Sequence, residues 1–280
     1  MTQTAEQIQL PHYERPPVVE TVVGVQFAPL SDFSNAHLGA FWECLGKEHW
    51  PNVSDAPPIP RQMERFSPEG PWGRSLRLQL TQNPLSRIRI CNSIKDRMLQ
   101  VQNGRIHLNW LGESGGQYPR YAALREEFHE CIAKFEYFLE DHNLDKIVPD
   151  QWEVTYVNKI TSNIWQTPAD WGFFKPLNPV PSIKGLIEAE SFSGEWHFVI
   201  PEQRGRLHIQ WQHAKETESD VNEHVQLRLT ARGPIESGEN LAESLYEGLD
   251  LGHLTIVQSF RNLMSDTANK EWNLNDVPSC

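Results

Sequence analysis

The sequence predicts an α+β protein made of two tandem halves, each an antiparallel sheet followed by a helix, and three observations lead there. Segments of alternating apolar and polar residues come in clusters, and each cluster is closed by one segment of helical period, an order that belongs to α+β rather than doubly wound folds. That order runs twice, over residues 14–148 and 149–272. The strand-like heptapeptide from Gly104 to Trp110 (GRIHLNW) also returns from Gly205 to Trp211 as GRLHIQW, with apolar residues on one face and Arg, His and an amide on the other. A pseudo-symmetric saddle or helix-grip arrangement is expected. The heptapeptides fall on the fourth strand of the first half but the third of the second, so the repeat rests more on element order than on local identity.

Residues 1–15 read as a loose arm. After Pro16-Pro17, the run Val18 to Phe27 alternates with β-branched residues and reads as a strand. A short helix is expected over 35–47, weakened by Gly39 and Gly46. Six prolines between Pro51 and Pro71 predict a long irregular loop. Strands follow at about 74–81, 86–92, 97–103 and 105–111, the last two joined by Asn103-Gly104, a strong hairpin dipeptide. Arg97 shares a face with Leu99 and Val101, which makes that strand ambiguous. A long amphipathic helix over 119–142 is marked by Tyr121, Leu124, Phe128, Ile132, Phe135 and Leu139 at spacings of three and four.

The second half opens on a strand carrying Trp152, Val154 and Tyr156. A Pro- and Trp-rich connection covers 163–182, and strands are expected near 186–192, 195–200, 206–213 and 224–231. Gly248 and Gly252 divide the remaining helical signal into a short helix at 239–247 and a final one from Asp250 to Met264. The tail after Trp272 is expected to fray.

The chain of 280 residues carries a net charge of −12, which disfavours a general nucleic-acid or membrane-surface binder. Its four cysteines are dispersed, with no C-x-x-C pair, as in reduced thiols of a cytoplasmic protein. Met1 to Leu10 lacks an apolar core, so no secretory signal is expected, and no apolar run approaches transmembrane length.

Several short motifs arrive in a recognisable order: Pro16 to Glu20 (PPVVE), Leu108-Asn109-Trp110, Tyr118-Pro119-Arg120-Tyr121, Trp152 to Ile160 (WEVTYVNKI), then His253, Phe260 and Trp272. The order resembles a sporadically distributed bacterial family of conserved hypothetical proteins, over nearly the whole chain. The resemblance implies a bacterial cytoplasmic protein of the accessory genome and carries over no catalytic residues. Patchy distribution is typical of defence and toxin–antitoxin genes, an association rather than a mechanism.

Local chemistry adds little in favour of an enzyme. Gly112-Glu113-Ser114-Gly115-Gly116 matches the serine-hydrolase elbow, but Pro119 would break the helix that must follow the serine, and no βαβ series supplies an acid and a histidine. The eleven histidines form no metal-binding spacing, and there is no nucleotide-binding loop, so neither metal nor cofactor is expected. The more informative pattern is the polar side of the strands. Arg77, Arg87, Arg89, Arg105, His107, Arg206, His208 and Arg228 all oppose apolar neighbours. Residues 71–110 alone hold seven Lys or Arg against one acid, a local +6 that leaves −18 for the rest. Helices can cover one sheet face, and the apolar one needs them. The arginine face is then expected to grip an anionic or peptide partner, either a protein or a small anionic ligand, by bidentate hydrogen bonds. The plainer reading is a wet face whose arginines pair with the chain's own acids, Glu20 and Glu153 among them. The sequence is thus read as a non-enzymatic binding or regulatory protein. The rival readings are an acidic antitoxin-like protein facing a basic toxin and a serine hydrolase using Ser114, with RNA binding a weaker variant of the binding reading.

Overall fold

The computed structural model describes residues 10–66, 86–161, 164, 172–175, 191–215, 223–235 and 240–275. The fold is α+β. In chain order the elements are β1 (His12–Tyr13), β2 (Val18–Phe27), α1 (Asn35–Leu45), β3 (Asn52–Ala56), β4 (Arg87–Cys91), β5 (Arg97–Gln102), β6 (Arg105–Leu111) and α2 (Arg120–Asp141). The second half adds β7 (Pro149–Thr161), β8 (Ser193–Ile200), β9 (Gly205–Lys215), β10 (Glu223–Pro234) and α3 (Leu241–Leu263), then α4 (Asp266–Glu271) and β11 (Leu274–Asn275).

Among the described residues nine strands form one sheet in the order β3-β4-β5-β6-β2-β7-β10-β9-β8, and every neighbouring pair is antiparallel. The opening strands of the halves, β2 and β7, pair with each other, so the halves continue as a single sheet. About that seam β6 corresponds to β10 and β5 to β9. The two similar heptapeptides lie on β6 and β9, which are not equivalent positions. Their likeness reflects a shared need for one core face and one polar face.

The helices lie on the apolar face. α2 packs over β2 and β6, while α3 packs over β7, β10 and β9. All six residues of the α2 stripe are buried, each contributing about 1.5–3 kcal/mol through apolar area removed from water. α1 rests on α2 through Phe41, whose ring meets those of Phe135 and Phe138 at 5.0 and 5.5 Å. Arg97 points to this helical side at the sheet margin, where its Nε and Nη2 donate to Glu127 of α2 at 2.5 and 3.0 Å. This resolves the ambiguity of its strand.

Three expectations are corrected. The division of the last helix does not occur: α3 runs unbroken through Gly248 and Gly252. Both glycines face the buried Trp152 of β7, and a Cβ on Gly248 would lie 2.2 Å from its Cδ1. Here the glycines permit close packing instead of ending the helix. The described parts of the arm and tail, residues 10–15 and 273–275, are joined rather than loose, since β1 pairs with β11 and the Tyr13 hydroxyl donates to Asn269 Oδ1 at 2.8 Å. The proline-rich stretch contains an edge strand, β3, before Pro57-Pro58 ends pairing. The expected strand at 74–81, most of that at 186–192, and most of the 163–182 connection lie outside the described residues. Among the described residues no helix is long and apolar enough to cross a membrane.

Candidate functional site

The sheet register assembles the polar face. One transverse row runs Arg89, Gln100, His107, Gly24, Glu153, Arg232 and Arg206 across β4, β5, β6, β2, β7, β10 and β9. Gly24 is the gap in the row, and the His107 ring fills it. A Cβ at residue 24 would sit 2.1 Å from His107 Cδ2. His107 thereby reaches Glu153, with Nε2 and Oε1 3.7 Å apart.

Among the described residues no helix covers this face, but the chain after β3 does. Residues 59–64 cross it as an extended strap, and three glutamines clasp the strap's backbone. Gln102 accepts from Ile59 N (2.8 Å) and donates to Ile59 O (2.9 Å). Gln26 accepts from Gln62 N (3.0 Å) and donates to Gln62 O (2.7 Å). Gln151 accepts from Glu64 N (2.8 Å) and also donates to Gln62 O. A proline-rich extended segment has no ladder of its own, so side chains supply the partners that its sheet-facing backbone needs.

The strap delivers Glu64. Its Oε1 accepts from His208 Nε2 (2.7 Å) and Arg232 Nε (2.5 Å), and its Oε2 accepts from Arg206 Nη1. Burial alone would raise the Glu64 pKa, but the hydrogen bonds from His208 and Arg232 outweigh it and hold the carboxyl at about 2. Burial lowers His107 to about 4 against the opposing pull of Glu153. Burial would likewise raise Glu153, yet the charges of His107, Arg105, Arg232 and His208 keep it below the ordinary carboxylate value.

These shifts set an acid response. Between pH 6.5 and 4 the unfolded chain takes up a proton that His107 refuses in the fold, so stability falls as pH drops through that window. Glu64 adds a second loss, beginning below the unfolded value of 4.5 and ending near 2. The urea midpoint is expected to decline from about pH 6.5 downward, with the His107 contribution on the order of 3 kcal/mol. His107→Asn should remove about half of the slope above pH 4.5, the rest belonging to His253, which burial also lowers to about 4, and should leave the lower window in place.

Beside the strap the face opens into a pocket of about 390 Å3. Its floor is Glu153, His107 and the Thr155–Thr230 hydroxyl pair, 2.8 Å apart. Along one side a polar relay crosses four strands. Arg87 Nη1 donates to Gln100 Oε1 (2.6 Å), Gln100 Nε2 to Asn109 Oδ1 (2.8 Å), and Asn109 Nδ2 to Glu20 Oε1 (2.6 Å). The opposite side carries Arg232, His208 and Arg228. Among the described residues, the charged side chains lining the pocket are four arginines (Arg87, Arg105, Arg228, Arg232) and two carboxylates (Glu20, Glu153). Adding the adjacent Arg206 and Glu64 gives five against three, so the excess remains +2.

The site residues expected from the sequence are thus placed differently from one another. Arg87, Arg105, His107, His208 and Arg228 come together around the pocket. Arg105 is 3 % exposed and donates to Gln26 Oε1 at 2.5 Å, so it is held internally. Arg206 is 6 % exposed and bound by Glu64, with its guanidinium 4.9 Å from the Phe66 ring. Arg89 is exposed on β4, outside the pocket lining. Arg77 lies outside the described residues. Arg228 is half-buried and has no hydrogen-bond or ion-pair partner among the described residues. Ser114 sits on an exposed turn, where its hydroxyl donates to the Leu111 carbonyl at 2.8 Å and not to a histidine.

Sequence reasoning missed Glu64, Gln26, Gln102, Gln151 and Arg232. Glu153 was named as an acid partner, and it is one, 3.9 Å from Arg105 and 3.8 Å from Arg232. The available signal for the strap was a proline-rich stretch ending in the polar run Arg61, Gln62 and Glu64, which is a weak signal by itself. Compared with known proteins, the sequence matches no family model, and no curated protein matches it.

Proposed function

We propose that this chain is a non-enzymatic binding protein that holds a small anion in the pocket on the polar face of its sheet. One observation carries the reading: arginines outnumber carboxylates around a single concave site, and Arg228, half-buried at its rim, lacks an internal partner among the described residues. A guanidinium in that position donates two parallel N–H groups to a carboxylate or phosphate. The strap narrows the reading from an open platform to a pocket, which favours a small ligand over a long peptide.

The test is titration calorimetry of the full chain with inorganic phosphate, citrate and an acidic hexapeptide. Arg228→Ala is expected to weaken the bound anion about tenfold, the loss of one charge-assisted pair. Stability should change by no more than about 0.5 kcal/mol, because no described residue pairs with that side chain. If the small anions fail to bind while the hexapeptide does, the ligand class is wrong. If Arg228→Ala binds as the wild type does, the site is wrong.

A further inference from the structure

We infer that the opposite, helical side of the sheet holds a second site, of different chemistry, for an apolar monocarboxylate. A cavity of about 460 Å3 lies among the N-terminal arm, the start of α2 and the middle of α3, above β2 and β7. That volume is in the range of small-molecule sites. Segments far apart in the chain, around Pro16, Tyr118, Tyr156 and His253, meet on its wall. Most of the surface is apolar, provided by residues such as Val18, Ile256, Val257 and Phe260.

The polar side chains on the wall expose little surface, and three of them form a relay. The Tyr118 hydroxyl donates to the Tyr156 hydroxyl at 3.3 Å, and the Tyr156 hydroxyl lies 2.9 Å from His253 Nδ1. Having received one hydrogen, Tyr156 directs its own to Nδ1. Burial lowers His253 to about 4, so the ring is neutral near pH 7 and its single proton is on Nε2. The Tyr121 ring stacks on the imidazole at 4.0 Å and fixes its plane. His253 is therefore a preset donor with Nε2 unused among the described residues.

Charge decides the ligand class. Asp250 is neutralised on the spot, accepting from the Tyr121 hydroxyl at 2.7 Å and pairing with Arg125 Nε at 2.9 Å. Arg120 has no such counterpart. Among the described residues its guanidinium meets the Tyr13 carbonyl at 2.8 Å and the face of Tyr118 at 5.3 Å, and no carboxylate. Its backbone is also held at φ +68°, in the left-handed region that a non-glycine residue occupies at a cost. A strained residue that places an unmatched cation on an apolar cavity, beside a neutral N–H donor, suits a ligand with one anionic head and a greasy body. A cation is repelled, and an uncharged apolar molecule leaves the guanidinium without a counter-charge.

The experiment titrates the full chain with decanoate, decanol and decyltrimethylammonium. Saturable binding of decanoate is expected, with decanol at least about tenfold weaker and the ammonium weaker still. Arg120→Gln should remove the preference for decanoate over decanol, and Arg120→Lys should restore part of it. Val257→Trp, which fills the cavity from α3, should abolish binding of both while leaving phosphate binding at the other face unchanged. That separates this site from the polar-face pocket, so either can fail alone. Equal affinity for decanoate and decanol, an unaltered Arg120→Gln variant, decanoate binding that survives Val257→Trp, or no saturable decanoate binding would each overturn the inference.

Discussion

Glu64→Gln is expected to lower the free energy of unfolding by about 3–5 kcal/mol, the usual consequence of removing one partner from a buried ionic cluster. The reason is local. Glu64 is the acid that Arg206, Arg232 and His208 share, and Arg206 is itself almost fully buried. Glutamine keeps the shape and one acceptor oxygen but leaves the cations facing one another, with Glu153 still 3.8 Å from Arg232 as the remaining counter-charge. The strap should loosen with it, because its glutamine clasps act on backbone that Glu64 anchors. Urea denaturation measures the loss, and limited proteolysis should show faster cutting between residues 57 and 66. A change below about 1 kcal/mol would mean that solvent already screens this cluster.

Trp152→Ala carries an effect of similar size, about 3–5 kcal/mol, from lost burial and the cavity left behind. Trp152 is 2 % exposed and lies under α3 where that helix has no side chains to interfere. A companion variant tests the geometry. On helix propensity alone Gly248→Ala would gain about 1 kcal/mol. Its new Cβ would fall 2.2 Å from the indole, so a net loss of about 1–3 kcal/mol is expected instead. In a Trp152→Ala background the penalty should largely vanish, since the two residues are in contact and couple. A Gly248→Ala change that stabilises the wild type would show that α3 rides higher over the sheet.

Some of this was legible in the sequence. The α2 stripe could be read because a helix buries residues at a fixed local spacing, and all six residues named for it are in the core. Strands such as β2 and β6 could be read from alternation over seven to ten residues. The break expected at Gly248 and Gly252 went wrong because local rules score glycine as a helix breaker, whereas its value here depends on a tryptophan almost a hundred residues earlier in the chain. The strap was read as a loop and nothing more, because prolines announce the absence of a ladder without saying what replaces it. Arginines could be assigned to a face, but their partners could not, since Glu64 precedes Arg206 by 142 residues.

By itself, then, the amino-acid order determined the α+β class, the doubled succession of strands and helix, the apolar surfaces that must be covered, and an arginine-bearing reverse side. Each follows from periodicity between neighbours, which a chain carries whatever its final shape. Only the tertiary structure decided that the halves join edge to edge through β2 and β7, that a strap seals part of the charged face, and which cations still look outward. Those outcomes depend on which distant carboxylates and amides come within hydrogen-bond reach. That is a property of register and chain crossing, on which local pattern is silent.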